Sequence, residues 1–335
     1  MSAQKKTEES AIIRKVQWAA ARGRRDAKLA GIVLGIGDDA AVWRPRPRFE
    51  TILTTDWFLD GTHFWRDWHP PEAIGWKSVM RAASDIAAMG GLPRCFLLSL
   101  ALPSALSGTW LDQFLRGITR ASAKLRCPLA GGDTTKAGRV LINVTVVGEV
   151  PRGRALLRSR AKPGDLIYVT GRLGEAELGL RLARKLRRSG KRAEDDLLLK
   201  HLFPEARNAL GYWLRHTVRA SAAMDLSDGL SLDLHRVCAA SEVGAVIHSE
   251  KLPMASPEFL RAFSDLECQD AALHGGDDYE LLFCLPSKYR GRIPPSKMGI
   301  RLNQIGEITD SPRVSIVSGN GRRIELLPRG WDPFD

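Results

Sequence analysis

The sequence lacks the segments that would place the chain in or across a membrane. No run of apolar residues approaches the roughly 20 residues that a membrane-spanning helix needs. Lysine, glutamate and arginine interrupt the N-terminal segment, which therefore has no apolar core of the signal-peptide type. We expect a cytoplasmic protein without a membrane partner.

Cysteine and histidine are also too sparse to form the usual covalent or metal frameworks. The five cysteines are widely spaced and include no Cys-x-x-Cys pair, which favours reduced, buried thiols over a disulfide framework. The seven histidines form no His-Glu-x-x-His motif and no cluster with cysteine. A zinc site is therefore not expected.

The common phosphate-binding motifs are missing as well. The sequence contains no Walker A motif and no kinase-type catalytic loop. Residues 35–40 fit a Gly-x-Gly-x-x-Ala dinucleotide pattern, but Asp38 and Asp39 stand where bare backbone amides should meet a pyrophosphate. Arg-Pro-Arg-Pro-Arg at 44–48 replaces the helix that should follow. Any nucleotide must be bound by other means.

Positive charge is in excess. The chain has 50 Lys and Arg against 38 Asp and Glu, a net charge of +12, with basic runs at 22–25, 44–48, 152–162 and 181–192. The last run accompanies an apolar stripe, Leu178, Leu182 and Leu186, which indicates an amphipathic helix with a solvated basic face. No aromatic-rich recognition motif is present, so we expect no nucleic-acid partner; a basic RNA-binding module is the alternative from a different class.

Strand and helix patterns alternate along the chain, which favours an α/β or α+β architecture. We predict helices over Glu9–Leu29, 70–89 and 111–125, and strands over 51–56, 96–102 and 140–150. The Pro/Gly/Arg-rich stretch 151–164 is the predicted domain boundary, followed by strands at 165–171, 222–226, 245–248 and 279–285. The predicted segments are a basic N-terminal helix at 1–30, one domain at 31–150 and a second at 151–335.

Aspartate recurs in six short motifs, most of them beside glycine, and we interpret these as turns. They occupy residues 37–39, 54–56, 84–85, 131–135, 225–229 and 275–278. Magnesium takes one or two carboxylates together with phosphate oxygens and water. Any one motif could be an ordinary turn, and Asp85 shares a helical stripe with Lys77 and Arg81 that would permit a salt bridge. Together the six predict a magnesium–polyphosphate site drawn from distant parts of the chain.

The order of these motifs resembles that of the thiamine-monophosphate kinases, within the aminoimidazole ribonucleotide synthetase-like superfamily. The matching segments are Gly-Ile-Gly-Asp-Asp-Ala-Ala at 35–41, Thr-Thr-Asp at 54–56, Asp-Gly-Thr-His-Phe at 60–64, Ser-Asp-Ile-Ala-Ala-Met-Gly-Gly at 84–91, Gly-Gly-Asp-Thr-Thr at 131–135, Gly-Arg-Ala-Leu at 153–156, Met-Asp-Leu-Ser-Asp-Gly-Leu at 224–230 and Gly-Gly-Asp-Asp-Tyr-Glu-Leu at 275–281. The resemblance implies ATP-dependent phosphorylation of thiamine monophosphate. It also implies a homodimer that pairs N-terminal mixed sheets, and a C-terminal α/β domain that completes the active site.

The resemblance further implies the site residues. The catalytic residues are Asp133 and Arg158. The magnesium ligands are Asp39, Thr54, Thr55, Asp56, Asp85, Asp133, Asp225 and Asp228. The ATP contacts are Gly132, Asp133, Arg158 and Ser227. The substrate contacts are His63, Asp277 and Trp331, with His63 expected to position the substrate rather than to act as a base.

The chain departs from the family pattern at two acids. Asp60 and Asp277 stand where the family commonly has glutamate, and the shorter Asp277 would leave a gap of about one methylene that water could bridge. Among relatives of the same fold, a selenophosphate synthetase would need a cysteine or selenocysteine before Cys95, and a hydrogenase-maturation protein would end on cysteine. A purine-pathway synthetase is the remaining enzymatic alternative.

Overall fold

The computed structural model describes residues 8–22, 24–188 and 198–334, and within them the chain folds as two units. The first unit contains residues up to Ile86 and Leu92–Gly153; the second contains Ala87–Gly91 and the chain from Arg154 onward. The chain therefore passes between units after residues 86, 91 and 153. Part of the predicted N-terminal segment and residues 189–192 of the last basic run lie outside the described residues.

The first unit is built on a mixed sheet. Its elements are α1 Glu8–Ala21, α2 Arg24–Ala30, β1 Ile32–Leu34, β2 Val42–Trp43, β3 Phe49–Leu59, α3 Pro71–Ala88, β4 Leu92–Leu102, α4 Thr109–Leu125, β5 Leu129–Lys136 and β6 Leu141–Pro151. The main sheet has the order β3-β6-β4-β5, and β5 runs parallel to β4 whereas β6 is antiparallel to both its neighbours. The predicted helix Glu9–Leu29 is two helices, α1 and α2. The mixed sheet predicted for the N-terminal domain is confirmed.

Helices α3 and α4 pack closely because glycine stands where they touch. A Cβ on Gly75 would lie 2.1 Å from the backbone oxygen of Phe114, and one on Gly117 would lie 2.0 Å from that of Glu72. Helix α3 also presses on the sheet, since a Cβ on Gly148 of β6 would meet the side chain of Ile86 at 2.8 Å. Helix α3 therefore covers one face of the sheet.

The opposite face of this sheet is open and partly apolar. Side chains alternate between the two faces of a strand, so Ile52 and Phe58 of β3 are buried while Leu53 and Trp57 are 69% and 55% exposed. A polar stripe runs between the two exposed side chains through Thr55. We refer to this surface as the open face.

The second unit is built on a larger sheet. Its elements are β7 Asp165–Thr170, α5 Glu175–Arg188, α6 Leu199–Leu202, α7 Asn208–Trp213, β8 Ala222–Leu226, α8 Leu230–Ser241, β9 Gly244–His248, α9 Pro257–Leu260, α10 Asp265–His274, β10 Glu280–Pro286, β11 Ser296–Lys297, β12 Ile300–Thr309, β13 Val314–Val317 and β14 Arg323–Glu325. The strand order is β14-β13-β9-β12-β7-β10-β8. Pro286 of β10 pairs with Asp165 of β7 at one end of the sheet. Glu280 of β10 pairs with Leu226 of β8 at the other end.

Both faces of this second sheet are buried. Ile167 and Val169 belong to a core cluster with residues of α8 and α10, while Leu166 and Tyr168 belong to a separate cluster that includes Leu210. Ala87 and Ala88, the last two residues of α3, are members of the second cluster. Because both faces are covered, these strands read as nearly continuous apolar runs, and the strands predicted at 165–171 and 279–285 are confirmed.

Two groups of predictions are wrong. Residues 54–56 lie inside β3, residues 84–85 inside α3 and residues 131–135 inside β5, so three of the six aspartate motifs are not turns, whereas the strand predicted at 51–56 and the helix predicted at 70–89 are confirmed. Thr55 and Asp133 are tolerated because they are exposed, while Thr54 on the helix-covered face is paired with Asp85. The strands after 286 were not predicted, since a bulge between Gln304 and Gly306 breaks the alternation of β12. Within the described ranges, no helix is long and apolar enough to cross a membrane.

Candidate functional site

A cavity of about 470 Å³ on the first unit brings two of the aspartate motifs together. Asp38 and Asp39 line it from the loop between β1 and β2, and Gly132 and Asp133 line it from β5. Helix α1 contributes Ile13, Val16 and Gln17. Carboxylates beside an apolar wall suit a phosphorylated nucleotide with a cation. Sequence reasoning missed α1, because the motifs that carry the resemblance begin only at Gly35.

Gly132 is required by the backbone at this cavity. Its φ is +150°, and a Cβ would lie 1.9 Å from the backbone oxygen of Leu98 on the neighbouring strand. The absence of a side chain leaves the backbone accessible beside Asp133, which is exposed and lies opposite Ser99 in the β4–β5 ladder. The geometry therefore offers a ligand both bare backbone and an adjacent carboxylate.

A second group of oxygen atoms lies on the helix-covered face of the same sheet. The Thr54 hydroxyl donates a short hydrogen bond to Oδ2 of Asp85, which reaches down from α3. Asp56 shares that face of β3 with Thr54, and its Oδ1 lies 3.9 Å from Nη2 of Arg81. The junction of β3 with α3 thus gathers one hydroxyl and two carboxylates. These are hard oxygen donors of the kind that magnesium prefers.

The expected magnesium ligands of the first unit are not all brought together. Thr55 points to the open face, where its hydroxyl lies 2.9 Å from Oδ1 of Asn143 and 3.0 Å from the Thr145 hydroxyl. Strands β3 and β5 are opposite edges of the sheet, about 14 Å apart at three strand spacings, so Asp56 and Asp133 do not share one ion. Among the residues that the structure describes, no group of three or more His, Cys, Asp or Glu could hold a metal. Phosphate oxygens and water would have to complete the coordination.

The ring of His63 is fixed in one tautomer. The backbone N–H of Leu59 donates to Nδ1 of His63 over 3.1 Å, so the ring proton is on Nε2. The ring therefore presents an N–H donor at Nε2. Nearby, Asp60 forms a short salt bridge with Nε of Arg66, which gives this departure from the family pattern a structural role.

Four predicted residues of the second unit are brought together beyond the end of β8. The N–H of Asp277 donates to the oxygen of Ser227 over 2.8 Å, and the N–H of Trp331 donates to the oxygen of Asp228 over 3.0 Å. Asp225 lies just before them, buried within β8. Asp277 has a φ of +69°, a region that aspartate tolerates better than most residues, and its Oδ1 accepts a hydrogen bond from Tyr279 over 2.7 Å.

The carboxylate of Asp228 is part of a small charge network that the sequence did not reveal. Nη1 of Arg236 lies 2.5 Å from Oδ2 of Asp228 and 2.8 Å from Oδ1 of Asp233. Burial, followed by the charge of Asp228, raises the pKa of Asp233 to about 6. One guanidinium therefore holds two acids, and only Asp228 was expected to have a role.

Asp278 has a structural function at the start of α5. The N–H groups of Gly174 and Ala176 donate to its two carboxylate oxygens over 2.6 and 3.3 Å. Burial raises the pKa of Asp278 well above its ordinary value, although these two N–H groups act in the opposite direction. Its side chain thus serves the helix terminus, which accounts for an acid that the motif analysis left unassigned.

Hydrogen bonds hold the segment that carries Trp331 against α8 and α10. The hydroxyl of Ser231 donates to the oxygen of Arg329 over 2.5 Å and accepts from its N–H over 3.2 Å. Nδ1 of His274 lies 2.7 Å from the same hydroxyl, whose single proton is already used, so His274 must donate from Nδ1. Nε2 of His235 lies 2.6 Å from the oxygen of Leu326. Ser231, His235 and His274 thus hold this segment by hydrogen bonds.

Arg158 is not brought to Ser227, although both were expected to contact ATP. The hydroxyl of Ser241 donates to the oxygen of Arg158 over 2.7 Å, and Ser241 is the last residue of α8. Ser227 precedes the first turn of the same helix. The 12 residues of α8 span about 18 Å, so the backbone of Arg158 lies near the far end.

The chain is similar to characterised proteins over most of its length. It matches the model of the AIR synthase related protein N-terminal domain over residues 37–150 and that of the C-terminal domain over 162–319. It is 35% identical to the thiamine-monophosphate kinase of Synechococcus elongatus over 310 residues, which are 89% of this chain and 91% of that protein.

Solved structures show the same likeness. The crystal structure of thiamine-monophosphate kinase from Stenotrophomonas maltophilia K279a has a TM-score of 0.80 and 36% identity, covering 92% of this chain and 96% of that one. The structure of AaThiL complexed with AMPPCP and TMP has a TM-score of 0.74 and 32% identity, covering 88% and 91%. Helix α1 lies outside both matched domain models.

Proposed function

The chain belongs to the thiamine-monophosphate kinase family of AIR synthase related proteins, and we propose that it transfers the γ-phosphate of ATP to thiamine monophosphate. The products are thiamine diphosphate and ADP. The observation that carries this proposal is the likeness to AaThiL, whose solved complex holds AMPPCP and TMP and covers 88% of this chain at 32% identity. AMPPCP is an analogue of ATP, so both substrates of the proposed reaction occur together on that relative.

Phosphoryl transfer requires positioning and charge neutralisation more than covalent chemistry from the protein. A phosphate monoester is mostly ionised near pH 7, so its oxygen can attack the γ-phosphorus in line without a strong general base. This fits a His63 that positions the substrate rather than acting as a base, since its Nδ1 accepts from the backbone N–H of Leu59. No covalent enzyme intermediate is required.

We assign ATP to the cavity between α1 and β5. The bare backbone of Gly132 allows a phosphate to approach, and Ile13 and Val16 of α1 offer an apolar surface to a base. Arg158 and Ser227 are the proposed further contacts, with Arg158 neutralising charge on the transferring group.

Magnesium is the proposed cation, and its ligands form three groups. Asp39 and Asp133 belong to the cavity, Thr54, Asp56 and Asp85 to the junction of β3 with α3, and Asp225 and Asp228 to the end of β8. Magnesium bound there would bridge and neutralise the phosphates of the two substrates. Thr55 is the least supported ligand, because its side chain is engaged on the open face.

The thiamine moiety is proposed to bind where Asp277 and Trp331 lie beside Ser227 and Asp228. Thiamine carries a positively charged thiazolium ring, and a cation is attracted both to a carboxylate and to the face of an indole. Trp331 is 42% exposed, so its ring is accessible to a ligand. Asp277 is held by Tyr279 and by the backbone of Ser227, which limits how far its short arm can shift.

A homodimer and a cytoplasmic location complete the proposal. The exposed Leu53 and Trp57 give the open face an apolar character that pairing with a second copy would cover. The location rests on the sequence alone.

The proposal is tested by incubating the full chain with ATP, magnesium and thiamine monophosphate and separating the products by chromatography. We expect thiamine diphosphate and ADP in equal amounts, and no turnover with EDTA or with unphosphorylated thiamine. Turnover that survives EDTA would exclude the metal-dependent mechanism, and no turnover at all would exclude the assigned substrate.

Asp133→Asn tests the metal assignment within that assay. We expect activity to fall at least about 100-fold, the scale seen when a group that stabilises transition-state charge is removed. Because Asp133 is exposed, stability should change by less than about 0.5 kcal/mol. Asp112→Asn is the matched control, since it removes an exposed acid of the same unit that pairs with Lys15 at 2.8 Å. Near-normal activity of Asp133→Asn would show that the assignment is wrong.

A further inference from the structure

A groove on the second unit carries a surplus of positive charge that the proposed kinase reaction does not use. Its volume is about 910 Å³, and its cationic lining residues are Arg160, Lys162, Arg215, Arg219 and Lys288. The carboxylates in the lining are Glu242 and Asp310. We refer to this surface as the basic groove. It gathers residues from the segment before β7, the end of β10, the end of α8 and the turn before β8.

The basic groove lies at the end of the sheet opposite the proposed substrate contacts. It is formed where β7 and β8 begin and β10 ends, since Asp165 pairs with Pro286 and Ala222 with Cys284. The residues around Asp228 lie at the other end, where Leu226 pairs with Glu280. Strand β10 has 7 residues and is therefore about 20 Å long. The groove is thus a separate surface from the end of β8.

The cations of the groove are not neutralised by the protein. Within the part of the chain that the structure describes, none of the five forms a salt bridge with a carboxylate. Arg215 instead donates to the backbone oxygen of Arg154. Asp165, the first residue of β7, is buried, and its carboxylate accepts a hydrogen bond from the Ser221 hydroxyl over 2.6 Å. The groove therefore presents an uncompensated positive field.

Neighbouring groups respond to this field. Burial and the charges of Arg154 and Arg160 lower the pKa of Arg215. Lys288 lowers the pKa of the Tyr289 phenol, and a hydrogen bond from Arg219 acts in the same direction. Mutual repulsion among these cations costs free energy in the empty groove, and a bound anion would relieve it.

We propose that the basic groove binds a free oligophosphate, meaning an anion of two or more linked phosphate groups. Each terminal phosphate carries roughly 1.5 to 2 negative charges near pH 7, so the two ends of such an anion match five cations opposed by two carboxylates. Arginine and lysine are the usual phosphate-binding side chains, and hydroxyls of Ser159 and Tyr289 supply further donors. A small anion of this type fits a volume of about 910 Å³.

A nucleic acid fits the lining less well. Proteins that bind single strands stack successive bases on several aromatic side chains. The lining of the basic groove contains one aromatic residue, Tyr289, and that ring already lies under Lys288 and Arg292, at 5.1 and 4.2 Å from its centroid. Phosphate groups are therefore recognised here without a surface that reads bases.

Calorimetric titration of the full chain with tripolyphosphate tests the proposal. The titration is made in EDTA, so that the proposed magnesium-dependent site does not contribute, and at two salt concentrations. We expect binding that weakens about tenfold or more between 50 and 200 mM salt, together with a higher melting temperature. The paired variant Arg219→Asn with Lys288→Ala should raise Kd at least about tenfold. Asparagine is chosen because residue 219 has a φ of +67°.

Controls separate the groove from general charge and from the kinase activity. Lys251→Ala with Arg261→Ala removes the same charge from exposed positions of the same unit outside the groove, and should bind as the unchanged protein does. If the first variant misfolds, Arg160→Ala with Lys162→Ala tests the other wall. Unchanged affinity in the groove variants overturns the proposal, as does tighter binding of a single-stranded oligonucleotide. Kinase turnover should persist in the groove variants, so failure of either proposal is recognised independently.

Discussion

Gly132 and Gly138 lie on either side of the end of β5, yet they differ in what surrounds them. A Cβ on Gly132 would collide with the Leu98 backbone oxygen at 1.9 Å, whereas nothing lies within 4 Å of one on Gly138. We expect Gly132→Ala to lower the free energy of unfolding by about 2 kcal/mol or more and to abolish turnover. Gly138→Ala should be neutral in both. Urea unfolding measures the first quantity, and an intact Gly132→Ala protein would contradict the register of β4 with β5.

Asp233 is expected to make stability depend on pH in an unusual direction for an acid. Its pKa in the folded protein, about 6, is raised above the ordinary 3.8, mainly by burial. The folded state therefore holds the proton more tightly, so this contribution is fully present below the ordinary value and is lost as pH rises through about 6. The contribution of Asp233 to the free energy of unfolding therefore falls by up to about 1.4 kcal/mol for each unit rise in pH.

Asp233→Asn isolates that contribution, because asparagine does not titrate. Between pH 7 and pH 5 the unchanged protein should gain stability relative to the variant, as measured by urea unfolding at each pH. A difference between the two proteins that stays constant across this range would contradict the burial assigned to Asp233.

The sequence motifs predicted which aspartates belong to the site, but not the residues that contact them. Asp39 and Asp133 were both expected, and they do line one cavity. Arg236 and Asp233, which hold Asp228, belong to no glycine motif and could be found only from the packing of α8. The roles of Asp60 and Asp278 likewise depend on partners that only the fold supplies, Arg66 and the first turn of α5.

Among the elements, the segment before Trp331 depends most on side chains rather than on a sheet or helix. Ser231→Ala removes the hydroxyl that pairs with both backbone groups of Arg329. A buried hydrogen bond contributes about 1 to 1.5 kcal/mol, so we expect KM for thiamine monophosphate to rise about tenfold while KM for ATP changes little. Steady-state kinetics with each substrate varied in turn gives the two values.

Ser318→Ala provides the comparison for that experiment. Ser318 caps the turn between β13 and β14 through Asn320 and the backbone oxygen of Arg322. Hydrogen exchange in residues 326–334 should increase in Ser231→Ala and not in Ser318→Ala. Equal increases in KM for both substrates would show that Ser231 supports the fold generally instead of positioning Trp331.

Elements that are buried on both faces were predictable, and so were strands β3, β4 and β6, whereas β5 was not. Strands β7 and β10 appear in the sequence as continuous apolar runs. Strand β5 carries glycine, aspartate and threonine, and its polar motif therefore resembles a turn in the sequence. Helix α1 was predicted as a helix, but nothing in its own sequence indicates that Ile13 and Val16 face a cavity.

For the whole molecule, the open face predicts the state of association. Leu53→Arg places a charge on that face, and we expect it to convert a dimer of about twice 36.9 kDa into a monomer. Leu266→Arg is the control, since Leu266 is 78% exposed on the second unit. Light scattering after size exclusion gives the masses. A monomeric unchanged protein would exclude the proposed homodimer.

The chain crosses between its two units three times, and this limits how its gene can recombine with the genes of relatives. Ala87 and Ala88 belong to the core of the second unit, and a Cβ on Gly211 would lie 2.0 Å from the oxygen of Ala87. A single crossover in the gene near residue 153 would therefore join a second unit to alanines from a different parent. Chimeras between relatives should fold only when residues 87–91 and the chain from residue 154 onward come from the same parent. Recombination between relatives is therefore more restricted than in a chain whose two units are joined by one linker.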